Sequence, residues 1–307
     1  MTSLKPHSQA SHLTRIIVIA RHTFTQLVRM KVFYFLAVFA VIAIASNFFD
    51  LPQHEGPESL GASVLRSIKS WSLGSMTLFA IVLSIVATAL LLPKDVEDRT
   101  LYTILAKPVP RLDYLAGKLL GVMSLVFVSM MLMNILMVSV LHVRTEMILT
   151  QQAEMAKALN WPAEAVDSLQ KETMAQGPTW SLQGAVFATF LKATVMASLA
   201  LVISTFSSST LFTTIVSFLL YFIGHFQADA RSAFFHADAA GEGIASRIGG
   251  LVFSIFIPDF QLFNVIDAVI EGQFFPPILF AKLVGIGLFY TVFYTLASWY
   301  IFSDKEF

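Results

Sequence analysis

Six long apolar runs separated by short polar stretches set the pattern of this chain: Val32–Phe49, Met76–Pro93, Tyr114–Leu141, Gly184–Phe206, Leu211–Phe226 and Ile278–Phe302. Each approaches or exceeds the roughly 17–25 residues that an α-helix needs to cross a bilayer. None alternates in the dyads of a membrane β-strand. The pattern predicts an all-α integral membrane fold with six transmembrane helices. The fifth run is short, and Ser207-Ser208-Ser209-Thr210 reads as a tight polar turn before it. A seventh run, Ile244–Ile257, has Gly249-Gly250 inside it and Pro258 behind it. Its length fits a re-entrant or interfacial segment better than a span.

Ahead of the first span, Leu13, Ile16, Ile17, Ala20, Phe24, Leu27 and Val28 recur at helical spacing, with Arg15, His22, Gln26 and Arg29 off the stripe. A basic amphipathic helix in that place is expected to lie in the membrane interface, as a moving elbow or as a plain anchor. The mostly polar or amphipathic stretch before the first span is not expected to be a cleavable signal peptide.

Composition agrees with a membrane protein. The chain is 56% hydrophobic and 13% charged, with a mean hydropathy of +0.72, where soluble domains carry about a quarter charged residues. Net charge is zero, which gives no reason to expect a nucleic-acid partner. The absence of cysteine excludes disulfides, thiolate metal sites and cysteine nucleophiles. Orientation follows from the cations. With both termini cytoplasmic, the inner segments hold eleven Lys and Arg in about 60 residues, while outer loops near 50–75, 142–183 and 227–277 hold seven in about 120. The positive-inside rule therefore places both ends in the cytoplasm.

The feature that points toward function is a polar island between the second and third runs. Nine charges fall between Lys94 and Lys118. Pro93 is expected to end the second span, and Asp95 to cap a short helix that Pro108 and Pro110 stop. Val96, Thr100, Leu101, Ile104 and Leu105 share one face of it. Two readings stay open on these residues alone: a helix that docks in a groove of a soluble partner, or a capped loop lying on the membrane.

The run from Asp95 through Arg99-Thr100-Leu101 and Leu105-Ala106-Lys107-Pro108-Val109-Pro110-Arg111, followed by Tyr114 and Gly117-Lys118, resembles the signature of type-2 ATP-binding-cassette (ABC) transporter permeases. More closely, it is similar to the branch that includes the nitrous-oxide-reductase maturation permease. Arg29–Tyr34, the stretch Pro258–Asn264 with Asp267, and the tail Phe302–Phe307 carry further likeness. Gln26 and Met30 stand where that family is expected to carry acidic residues. The resemblance implies a cytoplasmic N-terminus over 1–31, a six-span permease domain over 32–307 with a coupling loop at 94–113, and residence in the bacterial inner membrane. It implies two permease copies, usually a homodimer, working with a separate cytoplasmic ATPase that binds ATP and magnesium. No Gly-x-x-x-x-Gly-Lys-Ser/Thr loop occurs in this chain, which agrees with a motor on another chain. By that carry-over Glu97, Arg99, Thr100, Leu101 and Ile104 face the ATPase, and Arg111 and Lys118 pin a hinge at the membrane surface. An exporter of unidentified substrate is the function implied. A relay that passes ATPase strokes to an outer-side partner without transport fits the same residues.

Other candidates are weighed on chemistry. Lys192, some eight residues into the fourth run, either meets an anionic group of a substrate or snorkels outward on its four-carbon stem. Lys282 fits snorkelling. His225, Asp229, His236 and Asp238 complete no metal pattern and fit a solvated loop. Glu154–Glu172 reads as two short outer helices broken at Trp161-Pro162. Ala193, Ala197, Ser198, Ala200 and Ser204 allow close helix approach. No Gly-x-Ser-x-Gly, His-Glu-x-x-His or paired intramembrane carboxylate is present, so the residues give no support to an enzyme.

Overall fold

The structure, a computed structural model, describes residues 11–46, 61–97, 109–207, 209–229, 232 and 256–304. Among these it is helical, with no strand. In chain order the helices are α1 (His12–Val28), α2 (Lys31–Ala45), α3 (Ala62–Glu97), α4 (Arg111–Ala158), α5 (Ala163–Ala175), α6 (Trp180–Phe206), α7 (Thr210–His225), α8 (Ile266–Ile270) and α9 (Pro277–Ser303), with a 3-10 turn at Phe260–Phe263 before α8. Four stretches are long and apolar enough to cross a membrane: Ala62–Pro93, Arg111–Ala158, Ala163–Phe206 and Pro277–Ser303. α2 and α7, with 15 and 16 residues, fall short of a full crossing by length, so six spans are not established.

α6 forms the centre. Of its apolar window 78% is buried, against 17% for α9 at the rim. Ala193, Ala197, Ser198, Ala200 and Ser204 are all buried, because small side chains let α3 and α9 approach the backbone of α6 closely. Some of its hydroxyls are satisfied locally, as where Thr189 donates to the Ala185 carbonyl at 3.0 Å and Ser198 to that of Val195 at 2.7 Å, whereas those of Thr194 and Ser204 are buried with no partner among the described residues. In an apolar setting each such local bond removes the cost of an unpaired donor. α6 stops at Phe206, and Ser209 caps α7 by accepting from the Phe212 amide at 3.4 Å.

Two expectations are corrected. α3 does not end at Pro93 but runs through it to Glu97, so Asp95 lies inside α3 rather than capping a new helix. A proline removes only one hydrogen bond when it sits within the final turns, where the chain is about to leave the helix. The outer segment after the third run is also not a loop over most of its length. α4 continues unbroken to Ala158, about 72 Å at 1.5 Å per residue, more than twice the hydrocarbon thickness. Its far end joins the start of α3 and all of α5 in a helical cap, held where Gln152 donates to Thr173 at 2.9 Å and where buried Lys69 donates to Gln176. Of the two outer helices expected in Glu154–Glu172, the first is the end of α4 and the second is α5.

The N-terminal helix α1 is helical over the expected stripe. It packs lengthwise on α4, running in the same direction. The seventh run lies outside the described residues except for its last two positions. The stretch behind it is ordered by Asp259, whose carboxylate accepts from the Gln261 amide at 2.9 Å to start the 3-10 turn.

Candidate functional site

The opening of α4 gathers a cluster of long-range polar contacts at one end of the bundle. Asp113 sits in the opening turn, where a carboxylate is favoured by the helix dipole. Its side chain is only 5% exposed. It accepts from Arg15 Nε at 3.1 Å and lies 2.9 Å from His12 Nδ1, both on α1 and about a hundred residues away in sequence. From there α1 follows α4 turn by turn. A Cβ placed on Gly117 would sit 2.7 Å from Ile19 Cβ, and one on Gly121 would sit 2.6 Å from Thr23 Cβ. The two glycines are four apart, on one face of α4, and let the backbones touch.

Arg111 opens α4 and ties it to the end of α9. Its guanidinium donates to the Phe302 carbonyl at 2.7 Å and the Ser303 carbonyl at 2.5 Å. These belong to the last turn of α9, whose carbonyls have no partner within the helix and carry its negative dipole end. The same guanidinium lies 5.9 Å from the Phe302 ring centre, and Tyr114 stacks on Phe302 at 6.1 Å. Lys118 is buried with its ammonium 5.7 Å from the Tyr114 ring. It is therefore an inward-facing cation packed on an aromatic ring. α1, α4 and α9 are thus locked at one corner, and the chain linking α3 to that corner is the polar island.

Of the island's candidate residues, Glu97 is the last residue of α3, while Arg99, Thr100, Leu101 and Ile104 lie outside the described residues. His236 and Asp238 also lie outside them.

The family is decided by the sequence as a whole. The sequence model of the ABC-2 family transporter proteins matches residues 17–307. The chain belongs to the ABC-2 family. A comparison with curated proteins gives no match. As an ABC-2 family protein the chain is a multi-pass membrane protein of the permease type. Such chains are generally the non-enzymatic membrane subunit and normally work with an ABC ATPase.

The intramembrane cation of this ABC-2 protein does not snorkel. Lys192 on α6 is 4% exposed, and its ammonium lies 5.4 Å from the Tyr221 ring centre on α7. Lys282, by contrast, is exposed on α9. Asp113 and the paired glycines were missed as site residues. The signal for them was one-sided: Asp113, Gly117 and Gly121 repeat every fourth position, but their partners are remote in sequence.

Asp113→Asn keeps the shape and removes the charge. We expect a loss of about 1–3 kcal/mol, since Arg15 keeps some solvent access when its partner goes. Hydrogen exchange over α1 will accelerate selectively. Unchanged exchange in α1 would show that the ion pair does not hold the helix.

Proposed function

We propose that this chain is the permease subunit of an ABC exporter. It pairs with a second copy and is driven from the cytoplasmic side by a separate ATPase that docks on the polar island through Glu97, Arg99, Thr100, Leu101 and Ile104. Both termini then face the cytoplasm, and the cap of α3, α4 and α5 faces outward, in keeping with the density of cations at the other end. The likeness of the 95–111 run to the nitrous-oxide-reductase maturation permeases is part of this proposal.

One observation supports the reading above the others. The island joins the end of α3 to a corner where Arg111 holds α9 and Asp113 holds α1. A push on the island that moves the start of α4 is passed to α1 and α9, because both are held there by short, charge-assisted contacts. Arg111 is the hinge pin in this scheme, with Lys118 packed two turns behind it. The non-transporting relay uses the same corner, and cargo flux in reconstituted vesicles separates the two.

The test is purification in mild detergent with the cognate ABC ATPase, for the native chain and for a Leu101→Asp, Ile104→Asp variant. The native chain will retain the ATPase, and the variant will lose it, since two carboxylates placed in an apolar contact cost several kcal/mol. An ATPase that stays bound to the variant would remove the island from the interface.

A further inference from the structure

A cavity of about 540 Å³ opens between α4, α6 and the start of α9. That size is typical of a small-molecule site. Its walls are aromatic and apolar, among them Phe127 of α4 and Phe280 of α9. The opening is sideways rather than toward either end of the bundle: Phe127 is 46% exposed, Met131 51% and Trp180 79%. In a multi-pass protein those faces meet hydrocarbon, and a tryptophan at a helix start marks the level of the headgroups.

Besides the indole of Trp180, the polar side chains of the cavity are one amide pair. Asn134 donates to the Gln183 side-chain oxygen at 2.7 Å. That one bond leaves the other Asn134 atom, a buried oxygen, without a partner, and leaves the Gln183 amide with a free donor. Whichever way the two amides are turned, one amide NH2 group and one amide oxygen remain over. Gln183 lies one turn inside the start of α6, beside Trp180, while Phe127 lies about 10 Å deeper along α4. The cavity is therefore polar near its shallow end and apolar below it.

We propose that this cavity binds one single-chain amphiphile from the bilayer, with its alkyl chain along Phe127 and Phe280 and its ester or hydroxyl on the Asn134–Gln183 pair. A protein helix is the wrong size, since two turns with side chains occupy on the order of 1,000 Å³. Water does not account for the cavity, because a water bridging the two leftover amide groups leaves the aromatic and apolar walls that make up the rest of the lining unmatched. A hydrocarbon chain ending in one ester or hydroxyl matches both the walls and the leftover donor and acceptor. The proposal rests on the chain lying in a membrane and not on its coupling to an ATPase.

The test uses the full chain in nanodiscs, with Trp71, Trp161 and Trp299 replaced by Phe so that Trp180 alone fluoresces. A brominated lysophospholipid is titrated in as a contact quencher. The expected result is saturable quenching, reversed by the same lysolipid without bromine. Asn134→Leu will weaken half-saturation about 2- to 13-fold, the equivalent of one hydrogen bond. Val186→Phe, which fills the cavity wall, will abolish the saturable phase. Quenching that rises linearly and ignores the competitor would mean only annular lipid and would overturn the proposal. So would a Met131→Cys variant that cross-links two copies and shields Trp180, because a second copy would then be the occupant. The competition arm needs no substitution in the cavity, so misfolding of a variant does not rescue or sink the result. ATPase binding, measured separately, leaves a failure here distinct from a failure of the permease reading.

Discussion

A leucine at position 121 will pry α1 off α4. A Cβ at Gly121 already meets Thr23 Cβ at 2.6 Å and the Ala20 carbonyl oxygen at 2.9 Å, and the carbonyl belongs to a helix backbone that cannot rotate away. Three more carbons enlarge the clash, so relief requires moving α1 as a body and breaking the contact of Asp113 with His12 and Arg15. Overpacking costs about 1–3 kcal/mol where side chains yield, and more where backbone is struck. We expect the midpoint of thermal unfolding to fall by about 5 °C or more. Gly117→Leu will act alike, since its Cβ would meet Ile19 Cβ at 2.7 Å and the Ile16 carbonyl oxygen at 3.0 Å. Gly74→Ala is the control, because nothing lies within 4 Å of that position; a helix-interior alanine there is neutral or slightly stabilising. A Gly121→Leu chain as stable as the native one would mean that α1 does not pack in this groove.

Replacing Lys192 with Met will have the opposite sign on stability. The ammonium makes no hydrogen bond or ion pair among the described residues, and the Tyr221 ring returns about 0.5–2 kcal/mol at most. Withdrawing an ion from water costs several kcal/mol. Methionine fills nearly the same volume without the charge, so Lys192→Met is expected to gain about 1–3 kcal/mol and to raise the unfolding midpoint by several degrees. If the cation serves the substrate path, the same variant will transport poorly in vesicles while holding its ATPase normally. A rise in stability with full transport would reduce Lys192 to a packing residue. A fall in stability would reveal a counter-charge from the segments that are not described.

The helices themselves were legible because hydropathy and period report directly on burial in lipid. Leu13 to Val28 gave α1, and Ser209-Thr210 gave the start of α7. The small residues of Gly184–Phe206 marked the helix that others crowd. The helical extension of α4 was also written in the chain, though hydropathy hides it. No glycine or proline occurs between Gly121 and Pro162, so nothing stops the helix when the side chains turn polar after Leu141. Helix propensity of Glu, Gln, Lys, Met and Ala carries it on to Ala158. Pro93 misled for the converse reason: a proline near the end of a helix is tolerated where only the last turn remains.

What the sequence by itself determined is the class of molecule: apolar helices of membrane length, and a match to the ABC-2 family over residues 17–307. These follow from local composition and order along the chain. Only the tertiary structure decided that Asp113 holds α1, that Arg111 caps α9, that Lys192 turns inward to Tyr221, and that Asn134 meets Gln183 at a cavity. Each of those contacts joins residues tens to hundreds of positions apart, and its energy depends on a distance of a few ångströms and on exclusion of water. Neither quantity exists until the helices have packed.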